Sequence, residues 1–144
     1  MTARMVLASV TMTCVLALPA LASGTGKIQQ YFSETATRVN ATEDPAQKRA
    51  ILNRSFQTME RALEAVQGSS TISGDDRAGI DRLKASLRDK QDELAGVNGY
   101  VRVPDDQLNA FSTYVVQDME QADQIITISL VTLLLIIILI VLLV

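Results

Sequence analysis

Acidic side chains offer the first candidates for chemistry. Glu60 and Glu64 stand four residues apart, and Asp89, Asp92 and Glu93 fall within about one helical turn. Carboxylates at such spacing share a helix face and could bind a cation or work as an acid–base pair. Di-metal sites in helical bundles, however, point their carboxylates inward and join them to histidine through a Glu-x-x-His motif. The chain has no histidine, and these acids lie mostly off the apolar stripes. They read as a solvated face. Asp75 and Asp76, after Ser73-Gly74, read as capping acids at a helix start.

Nucleophiles lead no further. Without histidine, a Ser or Thr hydroxyl needs a lysine or an N-terminal amine as base. Lys27, Lys48, Lys84 and Lys90 sit in polar stretches that give no reason for a depressed pKa. Gly24-Thr25-Gly26-Lys27 shares letters with a phosphate loop but lacks its spacing and the Ser or Thr after Lys. The single cysteine is Cys14. If the leader that contains it is removed, disulfides, thiolate metal sites and cysteine nucleophiles are lost together. The expectation is a protein that is not an enzyme, with no cofactor and no metal. Tyr100 is the least committed aromatic, on a short link beside Arg102, and this pair is a candidate contact for a ligand or partner.

The elements that carry these residues begin with the two ends. Residues 1–22 read as a signal peptide. Arg4 is the basic n-region, Met5 to Leu18 is apolar, Pro19 breaks the helix, and Ala20-Leu21-Ala22 supplies small residues for cleavage. Residues 125–144, IITISLVTLLLIIILIVLLV, carry no charge, proline or glycine. Twenty helical residues at about 1.5 Å each span roughly 30 Å, the hydrocarbon thickness of a bilayer. This segment is expected to be a single C-terminal transmembrane helix. Thr127, Ser129 and Thr132 would form its polar face, able to bond to a second helix. The basic n-region stays cytoplasmic, so the middle is expected outside, periplasmic or extracellular. Val144 is the last residue of this sequence, so the expectation is of no cytoplasmic tail.

The middle is helical by its apolar period. Ile28, Phe32, Ala36 and Val39 mark an N-terminal helix or extension within residues 23–44. Residues 45–124 form the exported bundle. Asp44 and Pro45 are a cap and first helical residue, with Gln47 as the return half of a capping box. Leu52, Phe56, Met59, Leu63 and Val66 then repeat at gaps of four and three, an apolar seam and the leading candidate for an interaction surface. Ile80, Leu83, Leu87 and Leu94 form a second stripe, stopped by Gly96 and Asn98-Gly99, with Lys84, Arg88 and Lys90 placed on the wet side. Leu108, Phe111, Val115, Met119 and Ala122 form a third. No glycine or proline occurs from Asp105 to Val144, so this last helix is expected to continue into the membrane as one rod of about 60 Å.

The fold expected is all-α: a small antiparallel bundle of about three main helices, the last continuing into the transmembrane helix. The net charge is −3 with both signs interspersed, and no basic patch forms, so no nucleic acid partner is expected. The partners implied are the lipid bilayer and either a protein partner or a second copy of the chain. The function expected is that of a membrane-anchored, extracytoplasmic interaction or structural module. Its first rival is a ligand-sensing bundle that signals through a partner membrane protein. Its second is an intracellular tail-anchored coiled coil, which requires that residues 1–22 are no signal.

Overall fold

The computed structural model describes residues 26–125 and 128–144. The leader assigned to residues 1–22 and the polar-face residue Thr127 lie outside the described residues. Five α-helices follow one another: α1 Lys27–Asn40, α2 Pro45–Gln67, α3 Gly74–Ala95, α4 Leu108–Ile125 and α5 Leu130–Leu143. A 3-10 turn, Asp105–Gln107, leads into α4. No strand occurs among the described residues.

The helix starts follow local rules. The Asp44 carboxylate accepts from the Ala46 amide at 3.0 Å, and Pro45 occupies the first helical position, where its missing N–H costs nothing. Gln47 makes no return bond among the described residues, so the cap is one-sided. The Ser73 hydroxyl accepts from the Asp76 amide at 3.1 Å and opens α3. Gly96 ends α3 in the left-handed region at φ 71°. A Cβ at that position would stand 2.4 Å from the Arg102 amide nitrogen, so the link folds back against α3 only because residue 96 has no side chain.

Ion pairs fix the register of α2 on α3. Gln67 reaches Asp81, Glu64 pairs with Lys84 at 3.4 Å and Glu60 with Arg88 at 3.0 Å. Numbers fall on one helix as they rise on the other, so the two run antiparallel. Arg49 of α2 holds the α3–α4 link. It pairs with Asp105 at 2.8 Å and donates to the carbonyls of Leu94 and Val103. The expected N-terminal extension is a full member of the bundle. α1 packs against both α2 and α4, with Phe32 and Val39 fully buried. The Phe32 ring lies 5.7 Å from that of Phe56.

The C-terminal segment departs from the expected rod. Ser129 adopts an extended backbone, φ −62° and ψ 150°, and caps α5 through its hydroxyl. The chain turns there, and α5 packs on α2. The start of α5 meets the start of α3 through Asp76, and its end reaches Arg54 and Arg61 in the middle of α2. It therefore runs antiparallel to α2. Among the described residues no helix is long and apolar enough to cross a membrane. The 14 residues of α5 extend about 21 Å, short of the ~30 Å hydrocarbon layer. The physical reason is competition between two structures of one sequence. Continuing the helix satisfies only its own backbone, whereas turning at Ser129 gives Asp76 three donors and buries Leu133, Ile136 and Ile140 in the common core.

Candidate functional site

The seam Leu52, Phe56, Met59, Leu63 and Val66 is buried throughout, at 0–2% exposure, in one cluster with side chains from all five helices. Its partner surface is the chain's own bundle. Tyr100 and Arg102 both lie on the link between α3 and α4. The Tyr100 hydroxyl donates to Asp89 at 2.5 Å, and that carboxylate raises the phenol pKa above its ordinary value. Arg102 is exposed, its backbone pressed on Gly96. Glu60 and Glu64 are engaged with Arg88 and Lys84 across the α2–α3 surface, pairs worth about 0–1 kcal/mol each.

Lys90 lies inside rather than on the wet side, at 3% exposure. It donates to the Tyr114 hydroxyl at 2.6 Å and to Glu93 at 3.1 Å, with Asp118 at 3.6 Å. Burial alone would lower its pKa, but these partners outweigh that and raise it above the ordinary lysine value. A lysine held protonated in this way is a poor nucleophile or base. Its role is to satisfy the polar groups between α3 and α4. Among the described residues no group of three or more His, Cys, Asp or Glu could hold a metal ion.

What the fold does assemble is a polar clasp under an apolar helix. Asp76 sits in the first turn of α3, 5% exposed. Its Oδ1 accepts from the Ser129 amide at 2.8 Å, and its Oδ2 accepts from the Ser129 and Thr132 hydroxyls, each at 2.6 Å. Burial pushes the Asp76 carboxyl upward, but the donors from Ser129, Thr132 and Ser73 prevail and hold it below the ordinary 3.8. The positive end of α3 favours the same charge. An open cavity of about 420 Å³ borders the clasp and gives water a route to its edge. Two of the three residues assigned to a membrane polar face, Ser129 and Thr132, thus serve as docking donors for Asp76.

Beyond the clasp, α5 has two unlike sides. Leu133, Ile136 and Ile140 face the core. Val131, Leu134, Ile138 and Val141 face outward, at 68, 45, 54 and 70% exposure. Their gaps of three and four residues make one continuous apolar stripe. Ordinary surfaces expose apolar residues singly, and here four stand in line along one face of α5. The signal that could have located the clasp was Ser129, a preferred N-cap residue three positions before Thr132. The length of the apolar run obscured it. The role of Asp76 could not be read locally, since its partners lie more than fifty positions away.

No family model, curated protein or solved structure matches this chain. Its function must therefore be argued from its own residues.

Proposed function

We propose that this protein is a non-enzymatic helical interaction module whose working element is α5, docked on the bundle in this structure and delivered to a lipid bilayer when released. The observation that carries the reading is the outward apolar stripe from Val131 to Val141. A helix buried on one side and apolar on the other gains by finding a second apolar environment, at roughly 25 cal/mol per Å² removed from water. Once the clasp opens, residues 125–144 can re-form as one uncharged helix of about 30 Å, the length that spans a hydrocarbon layer. The buried bundle of α1 to α4 would then remain on one side as the exported domain.

Flotation of the full chain with phosphatidylcholine vesicles tests this. The expected result is co-flotation that depends on α5 and is abolished by Val131→Lys with Ile138→Lys, two substitutions on the exposed face that leave the core intact. A chain that stays with the unbound fraction, or that floats equally well with both lysines, refutes it. A second reading rests on the spacing of the same stripe. Gaps of three and four residues also suit the seam of a helix pair, so a second copy could cover α5. Sedimentation without lipid distinguishes the two, because the self-assembly reading requires a dimer that the lysine substitutions dissolve.

A further inference from the structure

The two flanks of α2 carry opposite charge. Towards α3 it offers Glu60 and Glu64, both ion-paired. On its other side Arg54 and Arg61, two helical turns or about 10 Å apart along the axis, line an open cavity of about 460 Å³. Arg38 of α1, the end of α5 at Val144, and Asn53 and Gln57 of α2 line the same cavity. Among the described residues no Asp or Glu side chain lines it, and the anionic group at its edge is the main-chain carboxylate of Val144. Arg38 is steered by the Thr35 and Ser55 hydroxyls, at 3.3 and 3.5 Å. Among the described residues, the side chains of Arg54, Arg61, Asn53 and Gln57 make no hydrogen bond or ion pair.

Three guanidinium groups around one cavity gather positive charge in a chain whose net charge is −3, a combination that attracts an anion. We propose that this cavity binds a phosphate-bearing anion. The guanidinium fork matches phosphate and carboxylate alike, but the donors here outnumber what the two oxygens of one carboxylate can accept. Three arginines and two amides suit the larger set of acceptors on a phosphate group. The volume lies within the roughly 300–1,000 Å³ typical of small-molecule sites, so the phosphate can bring an organic portion with it. Val144 and Leu143 supply an apolar edge for that portion. The phosphate can belong to a free compound or to a lipid headgroup, and the chemistry of recognition is shared.

The test uses the full chain with two probes. Calorimetry measures pyrophosphate binding in solution, and flotation compares phosphatidylcholine vesicles with and without phosphatidic acid. Saturable binding of pyrophosphate, or flotation that increases when phosphatidic acid is added to phosphatidylcholine, is expected, and the first or second outcome identifies a free or a lipid source. Arg54→Gln with Arg61→Gln should weaken that binding by at least about tenfold. Arg82→Gln, which removes one exposed cation from α3 outside this cavity, should leave it unchanged. Absence of binding in both probes overturns the proposal. So does binding that the double variant weakens by less than about tenfold, provided circular dichroism shows the fold retained. Failure of α5 to enter phosphatidylcholine vesicles refutes the membrane reading and leaves the pyrophosphate result intact, so the two can fail separately.

Discussion

Asp76→Ala should free α5 while leaving the rest of the bundle folded. The carboxylate accepts three hydrogen bonds from α5, at 2.8, 2.6 and 2.6 Å. A hydrogen bond to a charged group contributes about 1.5–3 kcal/mol, but these three share one acceptor and do not add. After the substitution the Ser129 and Thr132 hydroxyls, 3.0 Å apart, are released from the carboxylate and can bond to each other instead. Water can also enter from the bordering cavity. A net loss of about 2–4 kcal/mol follows. The remaining grip on α5 is the burial of Leu133, Ile136 and Ile140, about 1.5–3 kcal/mol each before ordering costs. At about 1.4 kcal/mol per factor of ten, the detached population should rise roughly thirty-fold to several hundred-fold. Hydrogen exchange by mass spectrometry over residues 130–143 reads this directly, with α2 amides as the internal reference. Asp75→Ala is the control, since Asp75 lies exposed in the same first turn of α3 and shares the helix-terminus effect of about 0.3–1 kcal/mol. A double-mutant cycle with Ser129→Ala and Thr132→Ala should show coupling to Asp76. Exchange in α5 that rises less than about threefold, or that rises equally in Asp75→Ala, would falsify the clasp.

Acid should do reversibly what the alanine does permanently. The native Asp76 pKa lies below the ordinary 3.8, so its stabilisation is fully present above the unfolded value and disappears as pH falls through the lowered native one. Protection of α5 should therefore be flat from pH 7 to about 5 and decline below 3.8, and Asp76→Ala should remove the Asp76 component of that decline. Phe32→Ala should cost about 3–5 kcal/mol in urea denaturation, because Phe32 is a core residue at 1% exposure; a loss below 1 kcal/mol would mean that α1 is a loose extension. Gly96→Ala should cost more than the ~1–2 kcal/mol of a left-handed residue alone, since its Cβ would also meet the Arg102 backbone at 2.4 Å. A thermal melt matching wild type would show that the link does not pack there.

Much of the fold was present in local patterns. Asp44-Pro45 and Ser73 set the starts of α2 and α3, and Gly96 set the end of α3, because caps and left-handed positions depend on the residues beside them. The stripes of α1 to α4 named nearly every core side chain, since a period of 3.6 selects one face whatever it packs against. The stripes did not say what covered them. The seam from Leu52 to Val66 would look the same facing a partner as facing its own bundle, and only the tertiary fold turned it inward.

The largest difference lies where two structures compete for one segment. By itself the sequence determined that residues 125–144 are predominantly apolar and uncharged, because those are properties of each residue. Where that run turns at Ser129, it meets Asp76, a residue more than fifty positions away that only the packed fold brings beside it. Lys90 and the three arginines follow the same logic. Their charge is written in the sequence, but a lysine is closed off by Tyr114, Glu93 and Asp118, and Arg38, Arg54 and Arg61 share one cavity, only because neighbouring helices pack side by side. Electrostatic partners act over a few ångströms, and in this chain the tertiary structure decides which charges come that close.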